Sequence, residues 1–289
     1  MRVCVIAQVK QLPPGLYFVA TPIGTARDIT LRGLDILASA DVIAAEDTRT
    51  ARKLMDIHAI PLGNRKLIAY HDHNGAAVRP KLLQLLAEGK SVAYASEAGT
   101  PLVADPGFAL AGAAMQAGFL VTSAPGPSAV IAALTIGGLP TDRFLFAGFP
   151  PNTQAARRNF LAEVADVPAT LAFYESPKRI HKMLADMSHV LGGDRQVAIC
   201  RELTKRFEEV LRGSVDELIA QLDGRTLKGE IVVLVDRNRT KMEQGDMEQA
   251  LRDALNSMTV RDAANAVSEA FNISRRRAYQ AALNIVKDQ

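Results

Sequence analysis

Two loops rich in glycine and proline stand where an α/β protein would bind a small molecule. The first, 21–24, directly follows an apolar run, and the second is the twelve-residue segment 96–107. Glycine lets a ligand approach the backbone closely, and proline fixes the path of the loop. We therefore expect the second loop to cradle a ligand through backbone amides and carbonyls. The first loop, taken alone, is better interpreted as an ordinary βα turn.

Charged side chains follow another apolar run of the first half. Glu46, Asp47 and Arg49 come directly after the run 42–45, so two carboxylates and a guanidinium crowd the end of one predicted strand. A helix cap explains Asp47 but leaves Arg49 unexplained. We therefore favour a functional site at this position.

Glutamates and cations also follow two apolar runs of the second half, in the segments 173–179 and 201–205. Polar side chains that gather at strand ends in both halves are typical of a cleft between two α/β domains, although any one group could be an ordinary ion pair. The candidates from these two segments are Glu175, Lys178, Arg201, Glu202 and Lys205.

Metal, nucleotide and disulfide chemistry have weak support. His71 and His73 have a spacing that two metal ligands can have, but no third ligand has a recognisable spacing. We therefore expect no metal, and interpret this segment as polar site lining or a solvated loop. The absence of GxGxxG and GxxxxGK[ST] argues against dinucleotide-dependent hydride transfer and P-loop hydrolysis. Cys4 and Cys200 lie far apart, which predicts two reduced, unreactive thiols.

Short runs of β-branched, aromatic and other apolar residues are the predicted strands that position these groups. Stretches of helical periodicity lie between them, with start signals such as Thr30 and Ser214. Because runs that are apolar on both faces need cover on both sides, the alternation predicts helices packed on a largely parallel sheet. The predicted strands are 16–20, 42–45, 67–70, 91–95, 120–123, 144–149, 170–174, 197–201 and 231–235.

Two breaks divide the chain, at the turn 125–127 and at the polar segment 236–245 that follows the last predicted strand. Beyond it, Asp246, Thr259 and Ser274 are the predicted caps of three helices. The expected units are an α/β domain at 13–125, an α/β domain at 126–237 and a helical tail at 245–289.

The last two helices of the tail have the pattern of a helix-turn-helix, in which the second helix offers its first turn to nucleic acid. Here that turn contains Arg275, Arg276 and Arg277. From the tail alone, phosphate contact and a solvated basic cluster are equally good interpretations. The net charge of +3 permits a polyanionic partner without requiring one.

The composition is that of a globular protein, with 289 residues of which 48% are hydrophobic and 22% are charged. This length is sufficient for one large domain or two modest ones. No run approaches the ~20 apolar residues of a membrane helix, and the first ten residues lack the cleavage site of a signal peptide. We therefore expect a cytoplasmic protein that does not span a membrane.

Nine segments occur in the order found in a known family. They are ATPIGTARDITLRGLDIL, AAEDTRTARKLM, YHDHN, SEAGTPLVADPG, PGPSAVIAAL, GLPTDRFLFAGFPP, FYESPKRI, RELTKRFEEVLRG and KGEIVVLV. Over about residues 15–236 the chain resembles the 16S rRNA (cytidine-2′-O)-methyltransferases of the tetrapyrrole-methylase superfamily. Its tail resembles the helix-turn-helix extension of the same family. Thr25 and Glu97 stand where that family usually has Asn and Asp.

The resemblance implies two α/β domains with S-adenosyl-L-methionine in the cleft between them, and a homodimer. It also implies methyl transfer to the ribose of a cytidine in the decoding region of 16S rRNA, within the small ribosomal subunit. Carried over by motif, the cofactor-binding residues are Pro22, Gly99, Thr100, Pro101, Val103, Ala104, Asp105, Ser128, Ala129 and Tyr174.

The sulfonium of this cofactor already activates its methyl group, so the protein mainly has to align a ribose hydroxyl and handle a proton. The sequence does not indicate which residue aligns the ribose and which one takes the proton. The catalytic candidates are Glu46, Asp47, Arg49, His71, Glu175, Lys178, Arg201 and Glu202, and the RNA-binding candidates are Lys205, Arg275, Arg276 and Arg277.

Two rival interpretations remain open. A tetrapyrrole or diphthine-type methyltransferase of the same superfamily usually carries a GxGxGD-like loop after the first strand, whereas this chain has TPIGT. A nucleic-acid-binding regulator without enzymatic activity would use the tail and leave most of the chain without a role.

Overall fold

The computed structural model describes residues 7–104, 107–271 and 273–287, and of residues 239–246 it describes the backbone only. Cys4 and Asp105, about which the sequence made predictions, lie outside the described residues. The described chain forms two five-stranded sheets, each covered by helices, and a tail of three helices.

The first sheet is entirely parallel. Its strands are β1 (Gly15–Val19), β2 (Val42–Ala45), β3 (Lys66–Ala69), β4 (Ser91–Ala95) and β5 (Val121–Ala124). They lie in the order β3-β2-β4-β1-β5. Because every strand runs the same way, all five carboxyl ends meet at one edge. The bounds of the five strands confirm the predicted strands of this half to within one residue at each end.

Helices cover both faces of the first sheet. They are α1 (Leu31–Ser39), α2 (Thr48–Ile57), α3 (Gly75–Ala87) and α4 (Phe108–Gln116), with a short 3-10 turn at Ala26–Asp28. Leu34 and Met55 of α1 and α2 belong to one buried core, while Leu82 and Leu110 of α3 and α4 belong to the core on the other face. Thr30 caps α1, as predicted, by accepting from the backbone N–H of Gly33.

The second sheet is mixed, and here the expectation of a largely parallel sheet is wrong. Its strands are β6 (Phe144–Gly148), β7 (Thr170–Glu175), β8 (Gln196–Arg201), β9 (Glu209–Ser214) and β10 (Ile231–Val235), in the order β6-β7-β10-β8-β9. Only β6 and β7 are parallel. The connection 202–208 between β8 and β9 is too short for a parallel crossover, which forces an antiparallel pair.

Strand β9 is missing from the predicted strands. It lies at the edge of the sheet, and of its side chains only Leu211 is buried. A half-exposed edge strand carries little of the apolar pattern on which strand prediction depends. The remaining bounds of this half agree with the prediction to within one residue.

Helices also cover both faces of the second sheet. They are α5 (Ala129–Gly137), α6 (Gln154–Val164), α7 (Ile180–Leu191) and α8 (Val215–Gln221). Helices α6, α7 and α8 share one core, and α5 packs on the opposite face together with Ile23 of the first domain. Ser214 caps α8 through a reciprocal capping box with Glu217, as predicted.

The tail consists of α9 (Arg239–Leu255), α10 (Val260–Ala270) and α11 (Arg275–Lys287) around a small core that includes Leu251, Val267 and Ile285. Thr259 caps α10, and the Ser274 hydroxyl accepts from the third residue of its helix, as predicted. The predicted cap at Asp246 is wrong, because α9 begins seven residues earlier and passes through position 245. Lys, Met, Glu and Gln favour helix even without an apolar stripe. Among the described residues, no helix is both long and apolar enough to cross a membrane.

Candidate active site

A cleft of about 690 Å³ lies between the two α/β domains and is lined by residues of both. This volume is within the usual range of small-molecule sites. A narrow recess of about 50 Å³ adjoins the cleft and shares four lining residues with it, Ile23, Ala98, Ala129 and Tyr174. One side of the cleft is formed by residues 21–24 and 96–104 of the first domain together with residues 125–129, which connect that domain to α5 of the second. We call this surface the glycine-proline wall.

Main-chain and hydroxyl hydrogen bonds join the three segments of the glycine-proline wall. Thr21 and Gly99 exchange two backbone bonds of 2.9 and 3.0 Å, and the Thr21 hydroxyl lies 3.2 Å from Ser96. The Thr100 hydroxyl donates to the carbonyl of Pro127 at 2.9 Å. Segments that are distant in sequence therefore form one fixed surface.

The backbone of this wall is strained at its centre. Gly99 has a φ of +84°, and Leu102 and Ala104 have φ values of 70° and 59° without being glycine. Non-glycine residues in this region cost free energy, and such strain is concentrated at functional sites. The backbone is thus held in a specific shape against its own preference.

Most residues predicted to bind the cofactor line one of the two cavities. Pro22 and Ala104 line the cleft, and Pro101 is the one described member of the set that lines neither cavity. Asp105 lies outside the described residues. The members that line the recess are Gly99, Thr100, Val103, Ser128, Ala129 and Tyr174.

The chemistry of the recess fits S-adenosylmethionine. Its described lining contains no charged side chain and consists of backbone, small and apolar groups, with one tyrosine. A Cβ placed on Gly99 would lie 3.4 Å from Cγ2 of Ile23, so any larger side chain there would occupy the space that the glycine leaves open. An uncharged, glycine-based cradle suits the adenosyl part of the cofactor.

The second domain presents Glu175, Lys205 and Glu230 to the same cleft, and Glu202 pairs with Lys205 without lining the cleft itself. We call these four residues the charged wall. The Lys205 ammonium donates to Glu202 at 2.8 Å and to Glu230 at 2.9 Å. Burial lowers the pKa of Lys205, but these two hydrogen bonds outweigh it and hold that pKa above its usual value. Lys205 is therefore a fixed cation, not a proton acceptor.

Glu175 is the buried carboxylate of the charged wall, with 3% of the residue exposed. Its Oε1 accepts from the N–H of Ser176 at 2.7 Å and pairs with Arg179 at 3.0 Å. Its Oε2 has no hydrogen-bond partner in the described part of the chain. Burial raises the pKa of Glu175, and its contacts with Ser176, Arg179 and Arg157 only partly offset that rise. A carboxylate with one oxygen uncommitted beside a ligand cleft is suited to accept a proton.

The antiparallel course of β10 completes the charged wall. Ile231, its first residue, pairs with Glu175 of β7 and with Arg201 of β8, so Gly229 and Glu230 lie at the edge where those strands end. A Cβ on Gly229 would lie 2.2 Å from the Glu202 carboxyl, which requires glycine at this close approach. Glu230 was not among the predicted site residues because it precedes a strand. A residue in that position reaches this edge of the sheet only if its strand runs antiparallel.

Two first-domain candidates have a local explanation. The Asp47 carboxylate caps α2 by accepting from the N–H groups of Arg49 and Thr50. The Arg49 guanidinium, with 90% of its side chain exposed, returns to Asp47 at 2.7 Å. This pairing lowers the pKa of Asp47 to about 2. The helix cap and the ion pair together explain Arg49, which the cap alone had left unexplained. Neither Asp47 nor Arg49 belongs to the described lining of the cleft.

Glu46 and His71 lie at the same sheet edge, beside Asp72 and Glu97. Burial raises the pKa of Glu46, whose Oε2 accepts from the N–H of Glu97 at 3.4 Å. The Nδ1 atom of His71 is buried without a partner among the described residues. No group of three potential ligands in the described chain has the arrangement needed to hold a metal.

The remaining candidates lie away from the described cleft lining. Lys178 is exposed, and Arg201 pairs with Glu209 at 3.0 Å and with the carbonyl of Lys228 at 3.1 Å, toward β9. All three arginines of 275–277 are exposed at the start of α11.

Several lining residues were not predicted. Ile23, Phe149 and Glu230 belong to segments of the family resemblance, so the signal was the motif and not the residue type. The described lining residues absent from the prediction are Ile23, Gly24, Thr50, Glu97, Ala98, Phe149, Ser176, Pro177, Cys200, Leu203, Gly229, Glu230, Ile231 and Val232.

The chain matches two protein-family models. Residues 15–219 match the family described as Tetrapyrrole (Corrin/Porphyrin) Methylases, and residues 242–285 match the family described as RsmI C-terminal HTH domain. The first match includes all the strands except β10, and the second includes most of the tail.

Curated relatives match this chain over nearly its whole length. A protein of Mesorhizobium japonicum named Ribosomal RNA small subunit methyltransferase I is 45% identical, over 96% of this chain and 94% of its own length. The protein of the same name from Vibrio cholerae is 44% identical, over 94% of this chain and 96% of its own. The corresponding protein of Mycobacterium tuberculosis is 43% identical over 91% and 93%.

Solved structures support the fold. Diphthine synthase superposes with a TM-score of 0.59 at 16% identity, over 76% of this chain and 89% of its own. The methyltransferase CobJ superposes with a TM-score of 0.58 at 20% identity, over 78% and 94%. At these identities the likeness concerns the two-domain architecture alone.

Proposed function

Because the chain belongs to the tetrapyrrole methylase family, we propose that it is an S-adenosylmethionine-dependent methyltransferase that modifies the ribosomal RNA of the small subunit. The relatives that support this share more than 40% of their residues with nearly the whole chain, tail included. We take the acceptor to be the 2′-hydroxyl of a cytidine in the decoding region of 16S rRNA. The resemblance in the sequence segments supports this finer assignment.

One observation carries the chemical part of the proposal. A single cleft connects an uncharged recess, suited to the cofactor, with a buried carboxylate whose second oxygen is free. When bound, S-adenosylmethionine supplies a methyl group on a positively charged sulfur. The glycine-proline wall holds it through backbone and apolar contacts, and the strained backbone fixes its orientation before the acceptor arrives.

Glu175 then takes the proton of the ribose hydroxyl on its Oε2 atom. Its Oε1 is held by Ser176 and Arg179, which leaves the buried Oε2 as the oxygen available to a substrate hydroxyl that reaches Glu175 from the cleft. Burial raises its pKa, which makes it a better proton acceptor than an exposed glutamate.

Lys205 holds the sugar-phosphate backbone of the substrate. Its ammonium carries three protons, and two are committed to Glu202 and Glu230, which leaves one for an RNA oxygen. The exposed arginines 275–277 of the tail add phosphate contacts outside the cleft. Glu202 acts through Lys205, as a positioning residue. None of the other predicted catalytic residues belongs to the described cleft lining, and their catalytic role stays a prediction; they are Glu46, Asp47, Arg49, His71, Lys178 and Arg201.

We also propose a homodimer that acts in the cytoplasm, where ribosomal subunits are its substrate. The family resemblance supports the dimer, and the names of the relatives support the compartment. Sedimentation of the pure protein tests the first claim, with a mass of twice 31.1 kDa expected.

The test of the function uses S-adenosylmethionine labelled with tritium in the methyl group and small subunits that lack the modification. We expect one label per subunit, on the ribose of one cytidine, where 2′-O-methylation makes the next phosphodiester resistant to alkali. Large subunits and uroporphyrinogen III serve as alternative acceptors. Label on a base, on the large subunit or on the tetrapyrrole would contradict the proposal.

A further inference from the structure

Phe149 is an exposed aromatic residue inside the cleft. It follows β6 directly, 58% of it is exposed, and it lines the cleft but not the recess. Its ring packs edge-to-face on Tyr174 with 5.4 Å between ring centroids, and Tyr174 packs in turn on Phe146 at 4.8 Å. One side of the Phe149 ring is therefore packed against Tyr174, while more than half of the residue is exposed on the lining of the cleft.

The loop that carries Phe149 is held rigidly. The Arg179 guanidinium donates to the carbonyl of Pro150 and to the side chain of Asn152, and that of Arg157 donates to the Asn152 carbonyl at 3.1 Å. Arg157 is itself buried and paired with Asp186 at 2.6 Å. Two consecutive prolines restrict the backbone further. A ligand that contacts Phe149 thus meets a preorganised surface and loses little entropy in ordering it.

The neighbours of Phe149 define what kind of ligand it would contact. The same cleft contains the Lys205 ammonium, which suits a phosphate, and the carboxylate of Glu175, which suits a ribose hydroxyl. A flat apolar ring beside these two groups matches the third part of a nucleotide, its base. Phe149 belongs to the second domain, which also carries the charged wall, and it lines the cleft but not the uncharged recess. Its position on the second domain favours the substrate side over the cofactor side.

We propose that Phe149 is the platform on which the base of the substrate nucleotide stacks; this inference rests on the proposed function. A base within a double helix is already stacked on both faces and cannot reach the ring. The enzyme therefore takes an unpaired nucleotide, turned out of its neighbours' stack, as the acceptor.

The chain contains no tryptophan, which makes a direct test possible. Phe149→Trp introduces a single tryptophan at the platform, which long-wavelength excitation selects over the five tyrosines of the chain. Its emission falls when a base stacks on it. Phe144→Trp is the matched control, because Phe144 begins the same strand, is 45% exposed and lines neither cavity as far as the structure describes them. The probes are an unpaired eight-nucleotide RNA and the same RNA in a duplex, with the full-length protein saturated with S-adenosylhomocysteine.

We expect saturable quenching of Phe149→Trp by the unpaired RNA, much weaker quenching by the duplex, and none in Phe144→Trp. Binding of the RNA is followed independently by the anisotropy of a label on the RNA. Quenching that is equal in both variants, or absent from Phe149→Trp while the RNA binds, would overturn the proposal.

Substitutions that remove the ring test the consequence for the reaction. Phe149→Ala and Phe149→Leu should raise the dissociation constant of the unpaired RNA at least about 5-fold, the effect typical of a lost base-stacking ring. Phe149→Trp should stay within about 2-fold, and the affinity for S-adenosylmethionine should not change. Leucine retains apolar bulk, so wild-type behaviour of Phe149→Leu would exclude stacking.

The proposed function and the stacking platform would be contradicted by different results. If the wild-type protein transfers no methyl group to rRNA, the proposed function fails. If it does transfer the group and Phe149→Ala matches it in rate and RNA affinity, only the platform is wrong. A loss of cofactor affinity as large as the loss of RNA affinity would likewise place Phe149 in the wrong subsite.

Discussion

The two walls of the cleft are built by opposite means. The glycine-proline wall is held by main-chain hydrogen bonds between Thr21 and Gly99 and offers backbone and small side chains. The charged wall is held by ion pairs such as Lys205 with Glu202 and offers ionised groups. A main-chain surface recognises one fixed shape, whereas charged side chains orient polar groups and move protons. This difference is why we propose that the cofactor binds at the first wall and the ribose at the second.

The sheets behind the walls differ in a related way. All strands of the first sheet are parallel, so its loops reach the cleft only after strands. In the second sheet β10 runs antiparallel, so Glu230 reaches the cleft from before a strand. The charged wall thus combines a residue that follows a strand, Glu202, with one that precedes a strand, Glu230. These two carboxylates hold Lys205 from two sides.

The largest effect should come from Glu175→Gln, which keeps the size of the side chain and removes its ability to accept a proton. We expect the single-turnover rate of methyl transfer to fall by about 100-fold or more, with unchanged affinity for S-adenosylmethionine. Glu97→Gln is the matched control on the opposite wall and should stay within a few-fold of wild type. Equal losses in both variants would remove the distinction between the walls.

The pH dependence of the same variant sharpens the assignment. A base works when it is ionised, so the wild-type rate should fall as the pH drops through the pKa of Glu175, which burial raises above its usual value. Glu175→Gln should lack this acidic limb. Lys205, whose pKa is raised, stays protonated and contributes no limb near neutral pH.

The next effect concerns the other wall. Gly99→Val should weaken binding of S-adenosylmethionine by about 30-fold, because the side chain fills the recess and strains a backbone with φ of +84°. Gly63→Val is the control, since Gly63 also has a positive φ but a Cβ added there would have nothing within 4 Å. Calorimetry measures both affinities. Equal loss in the two variants would indicate backbone strain and not a filled recess.

Lys205→Met should weaken the Michaelis complex with RNA by about 10-fold, because it removes one charged hydrogen-bond donor. Cofactor affinity should remain, and Lys205→Arg should restore part of the RNA affinity. If Lys205→Met instead lowers cofactor affinity, the charged wall also serves the cofactor and the comparison is wrong.

A smaller effect is expected from the tail, which lies outside both walls. Replacing Arg275, Arg276 and Arg277 with alanine should weaken rRNA binding by about 5-fold and lower the slope of log affinity against log salt by about 2. The rate at saturating RNA should not change. An unaltered salt slope would show that the three arginines are only solvated.

The smallest effect is expected for Arg49→Ala. Its exposed ion pair with Asp47 is of the kind that contributes little to stability, so methyl transfer should stay within about 2-fold of wild type. A large loss of rate would revive the catalytic role that the sequence suggested for Arg49.

The sequence was sufficient for most of the architecture. Buried strands such as β2 and β4 were predicted to the residue, because each is a short apolar run between clear turns. The edge strand β9 was missed, since only one of its side chains is buried. The direction of β10 was also missed, because an apolar pattern shows burial but not orientation.

The site was predictable where it depends on loops after strands. Gly99 and Glu175 follow or end apolar runs, and the structure places Gly99 on the recess and Glu175 on the cleft lining. Arg49 shows the limit, since the sequence indicates a nearby carboxylate but not that the guanidinium turns back to it. Glu230 and Phe149 reach the cleft through tertiary arrangement, which no local spacing reveals.

The most direct test of the division between the walls is the single-turnover rate of methyl transfer at saturating S-adenosylmethionine, measured for Gly99→Val and Glu175→Gln with unmodified small subunits. Saturation compensates for lost cofactor affinity but not for a lost base. We predict that the rate of Gly99→Val recovers to within a few-fold of the wild-type rate, while that of Glu175→Gln remains about 100-fold slower or more. Recovery of Glu175→Gln under the same conditions would contradict this prediction.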